Sequence, residues 1–173
     1  PGVWNEWKAM LLRELYYHAV KEMTGGLPTR HRQARAEAAQ DALRRHLADW
    51  SQAEIEEPIE RGYSAYWLTV DTDTHVRHAL AVREAARRDL DLHIEIRADP
   101  AGDVTEILIY TADHPGLFAK IAGAMALTGA AIVDAKIVTL SNGMALDTFS
   151  IQDSRGGAFA NAERLKRLRT RIE

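Results

Sequence analysis

Asp113-His114-Pro115-Gly116 sets a carboxylate, an imidazole and a Pro-Gly pair where the apolar period changes from strand-like to helix-like. A helix opening at Pro115 leaves its first amide groups without intrahelical partners. Gly116 places no side chain over them, and Asp113 or His114 is placed to cap one. The remaining N–H groups make a small positive socket that suits a carboxylate. The same four residues also make a good strand-to-helix turn, so their spacing leaves hinge and binding site both open. His75-x-x-His78 has the spacing of two metal ligands on one helix turn, but no further histidine or carboxylate joins them, and a solvated helix surface is expected. Arg164, Lys166, Arg167, Arg169 and Arg171 alternate with Leu165, Leu168 and Ile172, which reads as the outer face of an amphipathic helix rather than a nucleic-acid surface. Trp4, Trp7, Tyr16, Tyr17, Tyr63, Tyr66 and Trp67 read as core or a buried contact rather than a stacking platform. No residue set for catalysis or metal binding emerges.

The elements that position these residues follow from periodicity. Trp4, Trp7, Leu11, Leu15, Ala19 and Met23 predict a helix over 4–23, stopped by Gly25-Gly26 and Pro28. Ala36, Ala39, Leu43 and Leu47 predict a second over 29–49. Ser51 with Glu54 is a capping-box pattern for a third, which Pro58 keeps bent or brief. Gly62–Leu68 is an aromatic connector. A fourth helix over 72–89 is expected to turn Val76, Leu80 and Val82 inward and Arg83, Arg87 and Arg88 outward.

From about residue 91 the pattern changes. Leu92, Ile94 and Ile96 alternate with His93, Glu95 and Arg97, as in a half-buried strand. Asp99–Asp103 is turn chemistry, and Thr105–Thr111 is apolar enough for a central strand. A helix over 115–128 turns Leu117, Phe118, Ile121, Ala122 and Met125 inward and ends at Gly129. Strands over 130–140 and 144–152 flank Ser141-Asn142-Gly143, a hairpin signal. A last helix covers 158–173, with Leu165, Leu168 and Ile172 inward. The expected fold class is α+β. A helical segment (1–90) precedes a ferredoxin-like βαββα unit lacking its last strand (91–173). The edge of Thr105–Thr111 would then lie open, so Leu92–Ala98 is expected to fold back over it as a hairpin, or two chains to pair there.

The chain has 173 residues, is 46% hydrophobic and carries a net charge of -3. A core is therefore secure, and nothing pulls the chain toward nucleic acid or acidic membranes. Without cysteine there is no disulfide or thiolate chemistry, which suits a reducing cytosol. No apolar run approaches the roughly 20 residues needed to span a bilayer. A cytoplasmic protein without membrane contact is expected. Amphipathic patterns running up to both ends suggest a piece of a larger protein.

Thr105–Asp153 (TEILIYTADHPGLFAKIAGAMALTGAAIVDAKIVTLSNGMALDTFSIQD) resembles an ACT domain, a module that senses amino acids. The shared features are a strand, Asp-x-Pro-Gly-Leu-Phe opening a helix, a small-residue helix end and a strand hairpin. The resemblance implies that an effector sits against Asp113, His114, Pro115, Gly116, Leu117 and Phe118, with Asp134 and Ala135 of the next strand facing the same cleft. The phrase DAKI…T..NG.ALDTF is similar to the first of two ACT domains in bacterial PII uridylyltransferase/uridylyl-removing enzymes. Trp4–Val20 (WNEWKAMLLRELYYHAV) resembles the segment that follows the HD hydrolase domain in that family.

That resemblance implies a regulatory piece of an enzyme that uridylylates and deuridylylates the signalling protein PII, with glutamine as effector, and a homodimer through the ACT sheet. It implies magnesium and UTP for the parent enzyme and no cofactor in this piece. The family's nucleotidyltransferase needs Gly-Ser ahead of Asp-x-Asp. Asp71-x-Asp73 and Asp89-x-Asp91 lack it and read as helix-end carboxylates, and no histidine is followed by the Asp that an HD site needs. Two other expectations stay open: an amino-acid-sensing ACT region of another regulated enzyme, such as a guanosine tetraphosphate synthetase/hydrolase, and a non-enzymatic ligand-binding module.

Overall fold

A computed structural model describes residues 29–99 and 101–173 of the chain. The helix expected over 4–23, with Trp4, Trp7, Tyr16 and Tyr17, lies outside the described residues. The described elements run α1 (Thr29–His46), α2 (Gln52–Arg61), α3 (Tyr66–Thr69), α4 (Thr72–Arg87), β1 (Leu92–Asp99), β2 (Val104–Ala112), α5 (Leu117–Leu127), β3 (Ala131–Lys136), β4 (Met144–Gln152) and α6 (Ala162–Ile172). The four strands form one antiparallel sheet in the order β1-β2-β4-β3. Helices and β1 precede a β-α-β-β-α run, so the α+β, ferredoxin-like class expected from periodicity is the one observed, consistent with the ACT-like unit that the resemblance implied.

The open edge is closed as the alternation of Leu92, Ile94 and Ile96 implied. β1 pairs with β2 from Leu92↔Thr111 to Asp99↔Val104. It holds the edge beside the first strand of the unit, where a complete ferredoxin-like unit places its last strand. Asp99 shapes the intervening turn by accepting from the N–H groups of Ala101 and Gly102, both at 3.1 Å. With β1 on one side and β4 on the other, β2 is central, and Ile107 and Ile109 are fully buried.

Each face of the sheet carries its own core. Toward α5 and α6 lie Ile94, Ile107, Ile109, Phe149 and Ile151, packed with Ile121, Met125, Phe159 and Leu168. Toward the helical segment lie Leu108, Tyr110 and Leu146, packed with Leu43, Ile59, Trp67, Ala79 and Val82. The sheet is thus the middle of three layers, and the described helices α1–α4 bury their apolar side on it. This is why β2 and β4 are apolar on successive residues rather than on alternate ones.

Local chemistry sets the helix boundaries. Ser51 and Glu54 form the expected capping box, and α2 stays short around Pro58 with Ile55 and Ile59 buried. Asp71 caps α4 by accepting from Thr74 N at 2.8 Å, the helix-end role expected of that carboxylate pair. The aromatic connector closes into the single turn α3. Trp67 Nε1 donates to Gly62 O at 3.1 Å, and a Cβ at Gly62 would lie 2.7 Å from the Tyr66 ring.

Three expectations are corrected. Leu80 does not face inward: it is 48% exposed, and α4 buries His75, His78, Ala79, Ala81, Val82 and Ala85 instead. His75 and His78 are therefore not on a solvated surface, and each is 1% exposed. His78 finds a partner on the sheet, Thr148, and His75 faces the Tyr66 carbonyl of α3 at 3.4 Å. Second, the strand expected over 130–140 stops at Lys136. Val138 N donates to the side chain of Asp147 at 3.2 Å, so the ladder loosens into one isolated bridge, Thr139↔Ala145. Third, the basic face of α6 is not merely solvated. Arg164 donates to the carbonyls of Thr128 and Gly129 and stacks over Phe159, and Arg169 donates to Ile94 O at 2.8 Å. These bonds satisfy carbonyls at the C-terminal end of α5, so part of the basic run fastens α6 to α5 and β1.

Candidate functional site

The turn between β2 and α5 is tighter than a helix starting at Pro115 would make it. α5 begins at Leu117, and its N-cap is Gly116 with φ of 87° and no side-chain cap. Neither Asp113 nor His114 caps an amide, contrary to expectation. Leu117 N donates to His114 O at 3.1 Å, closing a turn over Pro115-Gly116. The His114 ring nitrogen Nδ1 sits 3.1 Å from Pro115 O. A positive φ suits glycine, and a Cβ at Gly116 would meet nothing within 4 Å. Gly116→Ala is therefore expected to cost about 1 kcal/mol through backbone strain alone. Urea unfolding measures this; a loss of several kcal/mol would mean that Gly116 has a packing role.

Asp113 is occupied on the other side of the loop. Its carboxylate accepts from Thr139 Oγ1 at 2.8 Å, and its N–H donates to Gly143 O at 3.0 Å. Both partners belong to the β3–β4 hairpin, which therefore clasps the loop. Asn142 Oδ1 accepts from Met144 N, and Gly143 takes a φ of 78°, as the Asn-Gly signal required. Next to this clasp lies Asp147, 2% exposed, a carboxylate inside an apolar strand. Burial, with the Asp113 carboxylate nearby, raises its pKa from 3.8 to about 6, opposed by the N–H of Val138.

A groove of about 580 Å³ opens beside the loop, between α5, α6 and the β1–β2 edge. Leu117, Ile121 and Ala124 line its apolar side, and Thr111, His114 and Lys120 bring polar groups. Arg171 and Glu173 also line it. Of the residues expected to hold an effector, His114 and Leu117 line this groove, with Pro115 and Gly116 exposed between them. Asp113 turns to the hairpin, and Phe118 packs inward on Phe149 with ring centroids 5.9 Å apart. Asp134 and Ala135 lie on β3, which β4 separates from β2. Asp134 pairs with Lys136 at 3.3 Å, and Ala135 packs into the core. Neither lines the groove. Periodicity missed Thr111, Lys120, Thr139 and Asp147, and the one signal available was the acidic residue of Leu146-Asp147-Thr148 inside an apolar run.

A second polar cluster lies between the sheet and the helical segment. His78 Nε2 is 2.9 Å from Thr148 Oγ1 on β4, and His78 Nδ1 is 3.2 Å from the Tyr66 hydroxyl. A neutral imidazole has one donor and one acceptor, and either hydroxyl can match either role. Burial pushes the pKa of His78 down from 6.5 to about 3, with His75 and Arg77 adding to the depression. His75 is lowered too, mainly by burial, and its Nδ1 has no partner among the described residues. No group of three or more His, Cys, Asp or Glu side chains able to hold a metal occurs among the described residues. No helix there is long and apolar enough to cross a membrane.

No protein-family model matches the chain. Curated relatives do match, along almost all of it. A bifunctional uridylyltransferase/uridylyl-removing enzyme of Rhodospirillum rubrum is 48% identical over 168 residues, 97% of this chain and 18% of the relative. The enzymes of the same name from Azospirillum brasilense and Gluconobacter oxydans are 47% and 44% identical over 174 residues, each across 100% of this chain. The chain spans 18–19% of the length of these relatives. Identity sustained over every element described above, under one enzyme name, places the chain in the family of bifunctional uridylyltransferase/uridylyl-removing enzymes, as one stretch of such a protein.

Proposed function

We propose that this stretch is the regulatory part of an enzyme that adds uridylyl groups to the signalling protein PII and removes them. The β2–α5 loop and its groove bind an amino-acid effector, glutamine. The observation that carries this reading is the helix opening at Gly116 without a side-chain cap, beside a groove that brings His114, Lys120 and Thr111 to an apolar wall. An amino acid carries a carboxylate, which a helix N-terminus and a lysine attract. It also carries an aliphatic stem, which Leu117 and Ile121 can cover. The effector acts by favouring one packing of this part against the catalytic domains, where magnesium and UTP belong. Among the open expectations, matches of 44–48% under one enzyme name favour this family over a guanosine tetraphosphate enzyme or a plain binding module. A cytoplasmic setting and dimerisation through the sheet belong to the same reading.

Calorimetric titration of the chain with L-glutamine tests it. Saturable heat at millimolar concentration or below is expected, lost in Lys120→Glu, which reverses the charge at the groove. Absence of heat, or heat unaffected by Lys120→Glu, would remove the loop as the effector site.

A further inference from the structure

We infer that two consecutive residues of β4, Asp147 and Thr148, couple the β2–α5 loop to the helical segment on the opposite side of the sheet. Both are buried polar residues in a strand that is otherwise apolar from Ala145 to Ile151 except for Ser150. Successive strand residues face opposite ways. Thr148 meets His78 of α4 at 2.9 Å, and through His78 it meets Tyr66 of α3 at 3.2 Å. Asp147 points to the other side, where it accepts from Val138 N at 3.2 Å and so shapes the hairpin. One residue along that hairpin, Thr139 donates to Asp113 of the loop at 2.8 Å, and Gly143 O accepts the Asp113 N–H.

The bonds therefore run from the loop, through the hairpin to one strand, and out of that strand into the helices. Each buried polar group costs more if left unpaired than its bond contributes when made. The layers are close-packed on both faces of β4, so little slack absorbs a shift. If the hairpin re-seats around Asp113, Asp147 must follow, and its neighbour Thr148 carries the displacement to His78. Occupancy of the loop would thereby reach α3 and α4. The purpose of the link rests on the effector reading above, but its existence does not, and the test uses no effector.

The readout is the ring-nitrogen spectrum of His78 in the isotopically labelled chain, which reports the ratio of its two neutral tautomers. Thr139→Val and Asp113→Asn change exposed residues on the far side of the sheet and touch neither His78 nor Thr148. In each the tautomer ratio is expected to change by more than about threefold, beyond what independent sites show. Leu127→Ser, an exposed position outside this chain of bonds, is expected to leave it unchanged, and the two loop variants made on a Thr148→Ser background are expected to move it as they do beside Thr148. A His78 spectrum unmoved in both loop variants overturns the link, and so does a response to Leu127→Ser as large as theirs. Failure of glutamine to bind would end the effector reading and leave this result standing.

Discussion

Acidification from pH 7 to pH 4 is expected to act on the two faces of the sheet in opposite directions. His78 stays neutral in the folded chain down to about pH 3, whereas the unfolded chain protonates it below 6.5. Its contribution is complete above pH 6.5 and is lost as pH falls, about 3 kcal/mol by pH 4. Asp147 works the other way. Its folded pKa is raised to about 6, so its contribution is present below its ordinary value of 3.8 and is lost as pH rises through 6. Between pH 7 and pH 4 it returns about 2 kcal/mol. The depressed pKa of His75 adds to this acid loss, and those of Asp71 and Asp153 add theirs mainly below pH 4.

The two large effects partly offset, leaving a net acid loss of about 1 kcal/mol, so the wild-type profile understates both, and single variants expose them. His78→Gln is expected to flatten or reverse the acid loss, and Asp147→Asn to steepen it by about 2 kcal/mol over the same range. Urea unfolding at pH 7, 5.5 and 4 resolves this. Parallel profiles for the wild type and Asp147→Asn would mean that the carboxylate is not buried as described.

The second large effect is expected at Phe149. Its side chain is fully buried, its residue pairs with Ile107 on one side and Ala135 on the other, and its ring stacks on Phe118. Phe149→Ala should lower stability by about 3–5 kcal/mol, because the layers around it cannot collapse into the space. Phe149→Leu, which retains most of the volume, should lose less than about 1.5 kcal/mol. Phe118 belongs to the first turn of α5, so Phe149→Ala should also loosen the loop. A larger rise in amide exchange over the wild type at Leu117–Ile121 than at Ile107–Ile109 in the folded variant would show it. A uniform increase across both segments would instead mean that the cavity weakens the fold without singling out the loop.

These residues also show what the sequence discloses. The hinge at Asp113–Gly116 was legible because the apolar period changes there and because Pro-Gly restricts the backbone in a known way. The cover over β2 was legible too: Leu92, Ile94 and Ile96 alternate, and an apolar edge needs a partner. The buried face of α4 was not. Leu80 is its largest apolar residue, but it lies on the opposite stripe from Ala79, Val82 and Ala85, whereas Val76 packs half-buried against that core. What decides the burial is that Tyr66 and Thr148 meet His78, and those contacts join residues 12 and 70 positions apart. Asp147 escaped for a similar reason: its role is one side-chain bond to Val138, made because β3 and β4 turn back on each other. Pattern reports which side of an element is apolar, whereas a buried polar residue is explained by its partner across the fold.

Amide hydrogen exchange of the chain with and without saturating L-glutamine tests the central claim most directly. Protection is predicted to rise at Thr111–Ile121, across the loop and the first turn of α5, with a smaller rise at Val138–Gly143 of the clasping hairpin. Unchanged exchange at the loop, or protection centred instead on the polar cleft between Asp73 and Arg97, would contradict it.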